Sequence, residues 1–207
     1  MASGTRSKNP LGRPRRPAAG DGGTDTRATI LDRAEELLAG RGYAGMSMDD
    51  VARAAGVTKG TLYHHFPEGK DALIVAVGDR SLRRHGEGLA AAISSAGDAR
   101  AGLEAVARWV LTNSGGPERL LRDSGRFLPP EQAENMRRGF MTRMYGPVRE
   151  LLEGGVAQGE LPPHDAEFVA WAFLGLLAEF AELQHLLARP RLAEQIVSLM
   201  LNGIGAE

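Results

Sequence analysis

Apolar residues recur at three- and four-residue spacing from the first third of the chain onward, the period of helices with one buried face. Ile30, Leu31, Ala34, Leu37 and Leu38 form the first stripe. It opens at Thr24–Thr26, where small polar residues can cap a helix, and closes at Gly40–Gly42. Tyr43 and Met46 lie in the connection. A second helix is expected from Ser47, with Asp50 in the spacing of a capping box and Val51, Ala52 and Ala55 on its buried face. Gly56 supplies a sharp turn, because it takes positive φ without steric penalty, and Val57 plugs the corner. A short third helix then runs from a Thr58 cap through Leu62 to about His65, where Pro67 stops it. A fourth starts at Lys70 and turns Leu73, Ile74, Val77, Leu82 and Leu89 inward.

The helical pattern continues to the end of the chain. Helices are expected near 98–113, 117–127, 130–158, 164–188 and 190–203, punctuated by Pro117, Pro129–Pro130, Pro162–Pro163 and Pro190. No alternating Val/Ile/Thr run suggests a strand, and no repeat of solenoid period is present. The expected fold is all-α with about nine helices. Residues 1–23 read as a disordered basic arm, 24–70 as a three-helix helix-turn-helix domain, and 71–207 as a larger helical domain.

Composition changes this picture little. The 207 residues carry a formal net charge of −1 and a 43% hydrophobic share, which describes an ordinary soluble protein. Without cysteine, neither a disulfide framework nor a thiolate metal site is available, as suits a reducing compartment. The Gly- and Pro-rich N-terminus has no apolar stretch to act as a signal peptide. The longest apolar run, Phe168–Ala178, falls short of the roughly 20 residues a membrane span needs. A cytoplasmic location is expected; abundant Arg, Ala and Gly suggest a GC-rich bacterial genome. Positive charge is concentrated at one end, where Arg6, Lys8, Arg13, Arg15 and Arg16 precede the first acid, Asp21.

The chemistry is carried by the stretch Ser47–Asp71. A helix presented to a major groove needs small polar residues at its N-terminal end, and Thr58, Lys59, Gly60 and Thr61 stand there. Gly60 has no side chain to hold the backbone away from DNA. Leu62 and Phe66, four apart, face inward against Ile30, Ala34 and Val51, which leaves Tyr63, His64 and His65 outward or sideways. Lys70 adds its charge to the positive end of a helix dipole. Of the three lysines, Lys8, Lys59 and Lys70, two fall in this stretch.

On Asp50-Val51-Ala52, Ala55-Gly56-Val57, Gly60-Thr61-Leu62-Tyr63, Phe66 and Lys70, the chain resembles the TetR/AcrR family of bacterial regulators. The resemblance in motif covers roughly residues 27–75. It implies that Ser47 and Thr58 bind phosphate at helix N-termini, and that Tyr63 and His65 do so through their polar tips. It implies Lys59, Thr61 and His64 as base readers, Gly60 and Leu62 as structural, and Lys70 as a backbone-phosphate clamp. The expected activity is sequence-specific transcriptional regulation, most simply as a repressor released from a palindromic double-stranded DNA operator by a small-molecule effector. An activator or global regulator of the same fold, without an effector, is the alternative. No cofactor and no metal are implied. His64 and His65 are adjacent, so their side chains point about 100° apart on a helix and cannot chelate one ion as an i, i+4 pair could.

Two further readings concern the ends of the chain. In the arm, Gly12-Arg13-Pro14-Arg15-Arg16-Pro17 resembles the core of an AT-hook, which would insert Arg13, Arg15 or Arg16 into a minor groove. A basic tail that neutralises phosphates without reading sequence is the favoured reading of it. Toward the C-terminus, 168–187 is apolar almost all round and must be covered on two sides. That makes it the candidate homodimer interface, through Phe168, Trp171, Gly175, Leu176, Phe180 and Leu183, joined by Leu192, Ile196 and Leu199 of the last helix.

Resemblance to the family also implies an effector pocket. Candidate lining residues are Trp109, Phe127, Met136, Phe140, Met144, Trp171 and Phe173, with Leu103, Ala107 and Leu120, a set suited to a small lipophilic ligand. No Ser/His/Asp elbow, HExxH or phosphate-cradling loop after a strand supports an enzyme.

Overall fold

The computed structural model describes residues 22–113, 124–183 and 189–203. The arm with Arg13, Arg15 and Arg16, and Leu120 among the pocket candidates, lie outside them. The described residues are helical with short connections and contain no strand, so the all-α class is confirmed. The elements are α1 (Gly22–Arg41), α2 (Met48–Ala55), α3 (Lys59–His65), α4 (Lys70–Ser94), α5 (Ala99–Thr112), α6 (Pro130–Phe140), a π-helical turn (Met141–Tyr145), α7 (Gly146–Ala157), α8 (Ala166–Leu183) and α9 (Leu192–Asn202). No helix among the described residues is long and apolar enough to cross a membrane.

Local signals set the first boundaries. Ser47 accepts from the Asp50 N–H while the Asp50 carboxylate accepts from the Ser47 N–H, which completes a capping box on α2. Gly56 ends α2 in the left-handed region, at φ 67°, and Thr58 caps α3 by accepting from the Thr61 N–H at 3.1 Å. One boundary differs from expectation. The helix that opens the fold starts at Gly22, ahead of Thr24–Thr26, with Asp25 in its first turn beside the positive end of the dipole.

The stretch 130–157 is one helical run with a register change inside it. Pro147 has no N–H to donate back one α-turn, and the Gly146 N–H reaches Met141 O instead, an i→i−5 bond. Met144 and Tyr145 are thereby turned into the core. The π turn packs on α4 at Gly86, where a Cβ would lie 2.9 Å from Arg143 Cβ and 3.1 Å from Arg143 O.

One core runs through the chain. Its N-terminal part holds Ile30, Ala34, Val51, Leu62 and Leu73; its C-terminal part holds Val106, Met144, Leu152, Phe173 and Leu177. Helix α4 belongs to both, and an ionic cluster ties α1 to it. The Arg80 guanidinium lies 2.8 Å from both the Asp32 and the Glu35 carboxylates, and Arg84 lies 2.8 Å from the other Glu35 oxygen. The Arg80 side chain is 22% exposed, so these bonds are partly shielded from water. The direction in which α1 leaves α4 is thus fixed by charge as well as by apolar contact.

Candidate nucleic-acid interface

Helix α3 is seven residues long and has one fully buried side chain, Leu62. Phe66, at its C-cap, is 3% exposed, and both belong to the core that contains Ile30, Ala34 and Val51. The Arg27 guanidinium covers the Phe66 ring at 5.3 Å. Two apolar anchors one turn apart hold α3 by one side only. Lys59, Gly60, Tyr63 and His64 are exposed and Thr61 and His65 half-buried, which makes the other side a polar ridge.

Several polar groups on and beside this ridge are paired. The Thr58 and Thr61 hydroxyls are 2.8 Å apart. Lys59 reaches Asp49 on α2 at 2.8 Å, and that carboxylate raises the lysine's pKa by hydrogen bonding and by charge. Both partners are well exposed, so the pair is screened by water and an incoming phosphate or base edge can replace it. Ser47 donates its hydroxyl proton to Asp50 at 2.6 Å. That bond, with smaller help from Arg53, holds the Asp50 carboxyl below its ordinary range.

Lys70 lies apart from this ridge, at the first position of α4. Its N-cap, Gly69, has φ 82° and supplies no side-chain cap, so the first N–H groups of this 25-residue helix have no side-chain acceptor at the cap. The Lys70 ammonium sits 4.0 Å from the centre of the Tyr43 ring, and the Tyr43 hydroxyl donates to Asp71. That hydrogen bond, with burial, pushes the Tyr43 pKa up to about 12.

The arrangement is a short helix anchored on one side, joined to its predecessor by a left-handed glycine and followed by a lysine at a helix start. The family model for bacterial regulatory proteins of the tetR family matches residues 30–77, which span all of it. Over these residues the chain is a TetR-family N-terminal domain.

Curated relatives and solved structures extend the likeness beyond this domain. It is 33% identical over 95 residues to the HTH-type transcriptional regulator EthR of Mycolicibacterium smegmatis, a match covering 46% of this chain and 42% of that protein. The match therefore spans about two fifths of EthR's length. Over 92% of this chain and 97% of the other it is 29% identical to the HTH-type transcriptional repressor KstR2 of Rhodococcus jostii. In fold it resembles AibR, whose structure was solved in complex with isovaleryl coenzyme A and operator DNA. The TM-score is 0.69 at 23% identity, over 85% of this chain and 96% of that one.

Away from the ridge, several candidates from the sequence stand elsewhere than expected. Phe127 does not face the interior of the C-terminal helices. It is 41% exposed and stacks on Tyr43, with ring centroids 4.8 Å apart and planes 12° from parallel. Phe140, Met144 and Phe173 are packed core side chains, because the π turn and α8 close on one another. Trp109 is half-buried on α5. Met136 lines a cavity of about 130 Å³ with Val75, Asp79, Leu82 and Arg143, between α4 and α6.

Among the interface candidates, Phe168 is 69%, Trp171 43% and Leu199 46% exposed, and Gly175 opens onto free space. Trp171 rests on Tyr145 at 4.9 Å. Leu176, Phe180, Leu183 and Leu192 are half-buried. Ile196, in contrast, points into the core of the chain and is 3% exposed, since the inward stripe of α9 runs through Ala193, Ile196 and Val197. Leu199 carries the outward face instead.

Sequence reasoning missed Tyr43, Asp71 and Arg80. Arg80 and Arg84 are spaced i, i+4 on α4, as Asp32 and Glu35 are i, i+3 on α1. That pairing of opposite charges on two neighbouring helices was the available signal.

Proposed function

We propose that the chain is a homodimeric repressor that holds a palindromic operator through two copies of α3 and leaves it when a small lipophilic effector binds the C-terminal helices. The observation that carries this reading is the polar ridge of α3, anchored only through Leu62 and Phe66. A helix buried on one side and lined on the other by Thr, Lys, Tyr and His is shaped for a major groove. In this reading Thr58, Ser47, Tyr63, His65 and Lys70 meet phosphates, while Lys59, Thr61 and His64 meet base edges. Lys59 exchanges Asp49 for DNA on binding.

One such helix reads only a few base pairs, so a two-fold partner is needed. The outward Phe168, Trp171, Gly175 and Leu199 supply a self-complementary apolar face. The effector half of the proposal leans on the cavity between α4 and α6. At about 130 Å³ it is smaller than the roughly 300 Å³ of a typical ligand site. An effector would therefore select a wider arrangement of these helices, and its preference for that state over the DNA-bound one sets how far it shifts the balance. The repressor name of KstR2 and the coenzyme A thioester bound to AibR are in keeping with this.

The test combines sedimentation with selection of bound genomic fragments. The wild-type chain should sediment as a dimer and enrich an inverted repeat with half-sites about one helical turn apart. Phe168→Glu, at an exposed position, should give a folded monomer that no longer enriches the repeat. A wild-type monomer, or enrichment of single half-sites, would contradict the dimeric reading.

A further inference from the structure

We infer that Phe127 is a positioning residue for DNA binding: through Tyr43 it fixes the Lys70 ammonium at the start of α4. This rests on the reading of Lys70 as a phosphate contact.

Three segments distant in sequence meet at the Tyr43 ring. Tyr43 itself lies in the α1–α2 connection, Lys70 and Asp71 begin α4, and Phe127 precedes α6. The ring has little freedom. Its hydroxyl is tied to Asp71, and Phe127 stacks on it almost in parallel. Lys70 then rests on a fixed electron-rich surface, its ammonium 4.0 Å from the centroid. A free lysine spreads its charge over many rotamers; one held on a ring keeps it beside the uncapped N-terminus of α4, where a phosphate would sit.

Phe127 is itself well based. Leu128 beside it is 8% exposed, its N–H donates to Ser124 O at 2.9 Å, and Pro129 and Pro130 stiffen the entry to α6. Among the described residues the exposed large apolar side chains are Tyr63, Phe127, Phe168, Trp171 and Leu199. Four of these lie on the proposed DNA and dimer faces. Phe127 lies on neither, and its ring is held by Tyr43. It is also the one that joins the C-terminal helices to Lys70, through the Tyr43 ring, and α6 just beyond it carries Met136 of the cavity wall. A shift of α6 that opened the cavity would carry Phe127 off Tyr43 and release Lys70 from its position.

The experiment measures binding of the full chain to a labelled mixed-sequence DNA duplex of about three helical turns over a range of salt, because a phosphate contact acts on any sequence. Phe127→Ala should weaken binding about threefold to tenfold and reduce the slope of log affinity against log salt by roughly 1, as Lys70→Ala does. In the Lys70→Ala background, Phe127→Ala should have no further effect, and Phe127→Tyr, which keeps the ring, should bind like wild type. Thermal midpoints identify any variant that has lost its fold; for such a variant Phe127→Leu replaces Phe127→Ala, with the same expected loss. Wild-type affinity for a folded Phe127→Ala or Phe127→Leu chain, or a loss that adds fully to that of Lys70→Ala, would overturn the inference. Lys70→Ala binding like wild type would instead remove the phosphate contact, and the inference with it.

Discussion

Helix α3 and helix α8 are both held through one face, yet the residues that define them are of different kinds. Each end of α3 is written within four residues: Gly56 turns the chain, Thr58 caps the start, and Phe66 closes the end with its N–H on Leu62 O. Helix α8 has apolar side chains almost all round, and which of them face inward is decided by α5, α7 and the π turn packed against it. Ala170, Phe173, Leu174 and Leu177 go inside; Phe168, Trp171 and Gly175 stay outside. A short element fixed by its own caps carries the proposed contacts to DNA, while a long element fixed by its neighbours carries the apolar face proposed for a partner.

The contrast can be broken most forcefully at Leu62. It is fully buried, and it is the single buried side chain within the seven residues of α3. Leu62→Ala should cost about 2–5 kcal/mol of stability and abolish DNA binding, read by thermal unfolding and by gel shift. A small loss with DNA binding intact would mean that the caps alone hold α3. A smaller effect is expected at Arg80, which joins α1 to α4. Arg80→Ala leaves Glu35 with Arg84 alone, and should cost about 1–2 kcal/mol. Because α1 is then held to α4 by apolar contact and the single, more exposed Arg84–Glu35 pair, operator affinity should fall by more than the loss of folded protein explains.

The smallest effect concerns the cap of α2. The Ser47 hydroxyl and then Arg53 lower the Asp50 pKa in the folded chain, so the unfolded chain takes up this proton more readily. The stabilisation is therefore present above the ordinary carboxylate range and is lost as pH falls through the lowered folded value. Melting curves taken from neutral to acid pH should show a drop that Asp50→Asn reduces. An unchanged acid limb in that variant would remove Asp50 from the account.

These differences also explain what could be read from the chain. The capping box at Ser47 and Asp50, the left-handed Gly56 and the Thr58 cap are interactions within three or four residues, and their spacing is visible in the sequence. The inward stripe of α4, Leu73, Ile74, Val77, Leu82 and Leu89, follows from period alone. The π turn was not legible. Pro147 in an otherwise helical pattern reads equally as a kink, and the choice is made by the close packing of Arg143 on Gly86 of α4. Phe127 is expected in the pocket because the family resemblance implies one and aromatic residues suit it; its partner Tyr43 lies in a connection without periodicity. Ile196 and Leu199 are three apart on α9, and only the neighbouring helix α5 decides which of them is inside.

The central claim is that Lys70 meets phosphate while Thr61 meets a base. Selection of bound DNA fragments with Lys70→Ala and Thr61→Val, side by side with the wild type, tests it most directly. Lys70→Ala should recover the wild-type motif with weaker binding throughout, and Thr61→Val should recover a motif altered at one position in each half-site. A changed motif with Lys70→Ala, or an unchanged one with Thr61→Val, would contradict the assignment.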